Sequence, residues 1–325
     1  MVRQRRFIAG VASTLLLLNG CGGANAVGTS AVQAESTGSA GAPYLCPAGL
    51  TSSGPLNCTQ LPLGDRKFST SGPSIGNVYS CVQLSGKPVV QSAPWIDAKN
   101  GTWSLPAKLA VRGAVKWAGS VSVSVSGSTR TVSGNALPVA PYATGIYPIS
   151  PSDPAYQYDR NPNSIEAHTF SYALPANPAP AAIPSCLSPG PIGVTISGIT
   201  IYDAFDAAGY DGAARELQDG CLGHPDPSDT YHIHGSISFC SGDTGSLAQN
   251  SPLLGYALDG FGIYGPWYGG KILTSADLDQ CHGTTSTVEW NGRQVDIYHY
   301  VATYDFPYSL GCYAGTPIQS GPPPT

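Results

Sequence analysis

Apolar and polar positions alternate in short runs along this chain, and no apolar stripe at helical spacing persists beyond about two turns. Ser120–Ser126 alternates strictly, with Val121, Val123 and Val125 on one face, which predicts a strand. Thr129–Ser133 follows a Gly127-Ser128 turn and completes a hairpin. Ile192–Ala204 reads as a second hairpin turning at Ser197-Gly198, and Ala107–Trp117 is rich in β-formers. Residues 135–190 are Pro-rich loop with one strand candidate at Ala167–Leu174. Further strands are expected at Gly255–Leu258, Gly262–Tyr264 and Asp296–Tyr304. Helix signals are sparse. Asp211–Gly220 can make about two turns, with Asp211 as N-cap and Gly220 at C′, and Ser275–Gln280 is shorter still. No internal repeat of fixed period is visible. The pattern predicts a mainly β fold: one antiparallel, sandwich-like domain with long loops and one or two short helices.

Composition narrows the class. Charged residues are 11% of the chain, against about a quarter in an average soluble domain. Forty Gly and 29 Pro among 325 residues exclude a coiled coil or helical bundle, and a 42% hydrophobic content excludes charge-driven disorder. A net charge of −5 without a basic run excludes a nucleic-acid partner. The N-terminus changes the picture further. Arg3, Arg5 and Arg6 precede the apolar stretch Phe7–Leu18, the shape of a secretory signal. Leu18-Asn19-Gly20-Cys21 resembles a bacterial lipobox, which makes Cys21 the expected lipidation site and the membrane, through that lipid, the expected partner. Gly22 after the Cys points to the outer membrane. Removing residues 1–20, with three Arg and no acid, takes the net charge to −8.

The expected organisation is a signal peptide at 1–20, a flexible tether at 21–45, and a disulfide-closed edge segment at 46–60. One domain follows at 61–317, with a Pro-rich tail at 318–325. Beyond Cys21, eight Cys remain: Cys46, Cys58, Cys81, Cys186, Cys221, Cys240, Cys281 and Cys312. An even number outside the cytoplasm suggests disulfides. Proximity favours 46–58, 81–186, 221–240 and 281–312 among the roughly 105 pairings that eight Cys allow. No C-x-x-C pair supports a zinc-thiolate site.

Five of the six His fall in the last third of the chain, and Tyr231-His232-Ile233-His234 is the densest point. Residues two apart on a strand share a face, so His232 and His234 project together. Two imidazoles there suit two-point binding of one ion. His224 lies just upstream. Asp259, between Leu258 and Gly260, and His282, beside Cys281, are the other candidate ligands. Such a set suits Zn²⁺ or Cu²⁺ and disfavours Ca²⁺, which takes oxygen ligands. Glu216 and Asp219 could act as a general acid/base pair, but a solvated helix end is the simpler reading. The pattern fits two roles. One is a metal site, which could activate water or oxygen if a coordination position stays open. The other is a hydrogen-bonded His/Tyr network in a non-catalytic structural, carbohydrate- or peptide-binding module of the envelope. There Trp267, Tyr268, Tyr298, Tyr300 and Tyr304 would form an aromatic face to an envelope polymer or small ligand. No nucleophile elbow, H-E-x-x-H or P-loop is present.

Several motifs occur in order: Leu61-Pro-Leu-Gly-Asp65, Tyr158-Asp-Arg-Asn-Pro-Asn163, Asp219-x-Cys-x-Gly-His224-Pro, Tyr231-His-x-His234 and Gly255-Tyr-Ala-Leu-Asp-Gly-Phe-x-Ile-Tyr-Gly-Pro266. Together they resemble the YHYH-domain family from about residue 61 to 317. Ile233 replaces the second Tyr of the namesake motif. The resemblance implies a secreted or surface-attached domain and brings no established activity.

Overall fold

A computed structural model describes residues 44–318. The signal at 1–20, Cys21, nearly all of the tether at 21–45, and the tail at 318–325 except its first residue lie outside the described residues. The described chain is mainly β, with several sheets around a shared apolar cluster.

The largest sheet has eight strands: β1 Pro191–Thr195, β2 Thr200–Tyr202, β3 Gly223–Pro225, β4 Tyr231–Ile233, β5 Leu253–Ala257, β6 Gly262–Tyr264, β7 Gly283–Trp290 and β8 Arg293–Val301. Their order across the sheet is β3-β4-β2-β1-β5-β6-β8-β7. The ladder is antiparallel except for the joins β2–β4 and β6–β8, which are parallel. Apolar residues on its strands, among them Ile192, Val194, Ile201, Tyr231, Ile233, Ile263 and Tyr300, are fully buried.

This order is the same four-strand unit written twice, in mirror sequence about the β1/β5 seam. Pairing across the seam is reciprocal: Gly193 faces Ala257, Val194 faces Tyr256 and Thr195 faces Gly255. The β1–β2 hairpin, Ile192-Gly193-Val194-Thr195-Ile196-Ser197-Gly198-Ile199-Thr200-Ile201-Tyr202, aligns without gaps on Leu254-Gly255-Tyr256-Ala257-Leu258-Asp259-Gly260-Phe261-Gly262-Ile263-Tyr264. In each half an Asp-x-Cys-x-Gly turn follows. Asp219 Oδ1 accepts the amides of Cys221 and Gly223, and Asp279 Oδ1 accepts those of Cys281 and Gly283. The residue before each Gly, Leu222 or His282, has positive φ. A Tyr-His strand then returns: Tyr231 Oη donates to Asp219, and Tyr298 Oη to Asp279. The sequence shows no fixed period because the interval between equivalents changes, from Ile192/Leu254 to Asp219/Asp279 to Tyr231/Tyr298.

A three-stranded antiparallel sheet, Val121–Ser126, Thr129–Gly134 and Phe170–Pro175, contains the expected hairpin and the 167–174 strand. The Val face is not its core face, since Val123 and Val125 are exposed. Val132 and Leu174 of the other two strands are buried instead. Ala107–Trp117 is not a strand beyond one bridge, Val115 to Thr144. Its backbone is spent on loops: Val111 donates to the Gln218 carbonyl, and Arg112 N–H to Asp153. The first helix, α1, spans only Gly212–Arg215. Asp211 caps it as expected, but Glu216 turns extended and ends it well before Gly220. Ser275–Asp277 is a single 3-10 turn capped by Thr274. Strand β7 had no clear sequence signal.

Four disulfides join Cys46 to Cys58, Cys81 to Cys186, Cys221 to Cys240 and Cys281 to Cys312, the pairs that proximity favoured. No helix of the described residues is long and apolar enough to cross a membrane.

Candidate functional site

The β3–β4 ladder builds the site. Antiparallel pairing sets His224 directly opposite His232, and the alternation along the chain puts His234 on the same face as His232. The three rings meet, with centroids 4.5 Å apart for His224–His232, 5.4 Å for His224–His234 and 4.7 Å for His232–His234. One ligand atom from each lies within 4.8 Å of the others, near enough that the three could hold a single metal ion. All three side chains are buried.

The hydrogen bonds decide which ring nitrogens are available. His232 Nδ1 lies 3.0 Å from the Thr230 carbonyl and His234 Nδ1 lies 2.5 Å from the Asp203 carbonyl. A carbonyl only accepts, so both Nδ1 atoms carry the proton and both Nε2 atoms present lone pairs. These two Nε2 atoms face each other at 2.9 Å. Among the described residues, neither ring nitrogen of His224 has a hydrogen-bond partner. Burial pushes His232 down to about 4 and His234 down to about 3, and pushes His224 well below the usual imidazole range. At neutral pH the rings are therefore neutral and their lone pairs converge with no donor between them. That geometry fits a cation. Fixing Nδ1–H on a backbone carbonyl is also how metal-bound imidazoles are oriented.

Distant motifs hold this corner in place. Arg215 of α1 forks onto Asp65, with Nη2 at 2.5 Å from Oδ2 and Nε at 3.1 Å from both oxygens. Asp211 accepts the Gly64 amide and the Tyr308 hydroxyl. Asp159 accepts the amides of Asn161 and Leu217, and Asn161 Nδ2 donates to the Pro225 carbonyl next to His224. Tyr202 stacks on His232 with centroids 4.0 Å apart. The Cys221–Cys240 bridge ties the turn before β3 to the segment after β4.

Two of the five candidate ligands are not in this cluster. Asp259 occupies the β5–β6 turn, where it accepts the Tyr300 hydroxyl at 2.5 Å and the amides of Gly315 and Phe261. Its three donors make it a buried turn-former. His282 bonds Thr303 Oγ1 at 3.0 Å on the other half of the sheet. Asp219 is likewise committed to its turn and to Tyr231, and it accepts the Gly145 amide. Sequence reasoning missed Glu216 as a member of the cluster. Its Oε2 lies 3.5 Å from His224 Nε2 and 3.4 Å from His234 Nε2. The expected aromatic face is not a face either, since Trp267, Tyr300 and Tyr304 are buried.

The second half of the sheet is an internal control. By register, Thr284 and His299 stand where His224 and His232 do, and Val301 stands where His234 does. The same ladder folds with one of the three imidazoles, so the strand geometry does not demand the other two.

A mainly β, disulfide-stapled domain built on a doubled β-unit, with a buried three-histidine cluster in one copy, is the class these features define. Residues 171–272 match the model of the family described as YHYH protein. The chain carries a YHYH domain in that segment, which contains α1, β3, β4 and all three clustered His. The match is shorter than the 61–317 span expected from the motifs. No curated protein and no solved structure matches the chain.

Proposed function

We propose that this is an extracytoplasmic, lipid-anchored protein whose YHYH domain binds one transition-metal ion, Zn²⁺ or Cu²⁺, through ring nitrogens of His224, His232 and His234. The observation that carries the reading is the facing of the two Nε2 lone pairs at 2.9 Å beside a His224 whose ring nitrogens have no hydrogen-bond partner among the described residues. Neutral imidazoles are the ligands these ions prefer, and no carboxylate-rich cage suited to Ca²⁺ surrounds them. The copy lacking two of the His supports a role chosen for binding rather than for folding. Four disulfides and the lipobox-like Leu18–Cys21 support the location.

Metal analysis of the untagged mature domain tests it. Zinc or copper close to one per chain is expected, falling to background when His232 and His234 are both replaced by Ala. A metal-free domain whose melting temperature does not respond to added Zn²⁺ or Cu²⁺ would mean that the rings share protons in a buried network instead.

A further inference from the structure

Sequence pairs Glu216 with Asp219, and the structure separates them. Asp219 is saturated by backbone amides and Tyr231. Glu216 turns the other way at the end of α1, and its side chain is 12% exposed. No donor among the described residues reaches its Oε2, which instead stands 3.5 Å and 3.4 Å from Nε2 of His224 and His234. A buried carboxyl oxygen without a donor either takes up a proton or faces a cation, and a cation between it and the two Nε2 lone pairs would satisfy all three. Four donors arranged tetrahedrally at bond lengths of about 2.0–2.1 Å stand roughly 3.3–3.4 Å from one another, close to those two separations. Space has been left for the arrangement. A Cβ on Gly212 would come within 2.9 Å of His234 Cγ and 3.2 Å of Glu216 Oε2, so a side chain there would displace both. The Asp65–Arg215 fork and the Asp211 cap hold α1, and hence Glu216, against the rings. In the second half, the position three before the turn Asp is Ala276, so the carboxylate is missing where two of the three imidazoles are also missing.

We infer that Glu216 is the fourth ligand of the proposed metal site. It closes a three-His, one-Glu shell and leaves no coordination position for water. The inference rests on the metal reading and gives it a direction. A four-ligand shell of protein groups holds an ion, whereas water activation needs one position free.

Cobalt(II) loading of the mature domain, read by its visible spectrum, tests this with azide as the probe of an open position. Wild type is expected to give a four-coordinate spectrum that azide leaves unchanged. Glu216→Ala is expected to bind cobalt at least about tenfold more weakly, with a shifted spectrum that azide shifts again. Glu216→Gln, which keeps the shape and loses the charge, is expected to fold with a wild-type circular dichroism spectrum and to show the same direction of change. Wild-type affinity, spectrum and azide indifference in both variants would overturn the Glu216 assignment while leaving a three-His site. A wild-type domain that takes up no cobalt, zinc or copper would overturn the metal reading and this inference with it.

Discussion

The same residue types do different work in this protein according to what surrounds them. Asp219, Asp259 and Asp279 all sit at turns and satisfy backbone amides. Of the six His, three converge, while His282 and His299 lie in the other half, bonded to Thr303 and to the Ile297 carbonyl. His282 supplies a residue-scale prediction. Burial pushes it down to about 3 from 6.5, so it is neutral when folded. A depressed imidazole contributes stability that is present above pH 6.5 and lost as the pH falls toward its folded value. Asp211 and Asp219 act in the opposite sense. Burial raises both to about 6, so their contribution is present at low pH and lost as the pH rises through about 6. The wild-type curve mixes the two. The difference between wild type and His282→Asn isolates the first, and Asn tolerates the positive φ at this position. Denaturant titrations at pH 7 and about pH 4 should show the variant losing less stability on acidification, by up to about 3 kcal/mol.

At the scale of elements, hairpins with local turns were legible because alternation and a Gly at the turn are local facts. Ile192–Ala204 and Gly262–Tyr264 fell where the pattern put them. Ala107–Trp117 did not, since β-propensity needs a partner strand and this segment found loops and α1 instead. The helix at 211 stopped after one turn because Glu216 leaves the helical region to reach the imidazoles. The doubled unit has its own consequence. A methyl on Gly223 would run into the Tyr231 hydroxyl, and one on Gly283 into the Tyr298 hydroxyl. Gly223→Ala and Gly283→Ala should therefore each lower stability by about 1–3 kcal/mol in equilibrium unfolding. Only Gly223→Ala should also reduce metal uptake, because Gly223 adjoins His224 on β3. Loss of metal from both variants would count against a site confined to the first half.

For the whole molecule, the apolar core does not set the charge or the address. Eight of the nine Cys are joined in four bridges, and the ninth, Cys21, lies outside the described residues and is the proposed lipidation site. Cys21→Ser should abolish acylation, measured by fatty-acid labelling, and move the protein from the membrane to the soluble fraction. A variant that stays membrane-bound without acyl label would point to a different anchor. The disulfides and the doubled sheet should survive in that variant, with an unchanged melting temperature, because the four bridges join Cys other than Cys21.

The sequence by itself determined the β character, the hairpin positions, the count and proximity of the Cys, and the pairing of His232 with His234 on one strand face. All of these follow from residue type and short-range periodicity. Only the tertiary structure brought His224 opposite His232, turned Glu216 inward, and sent Asp259 and His282 to other sites. Those outcomes depend on strand register and on long-range hydrogen bonds from Asp65 and Asp159, which no local spacing encodes. The doubled unit lay between the two. Its residues align by eye once paired, but unequal loop insertions removed any fixed period, and the reciprocal register across the β1/β5 seam was needed to reveal it.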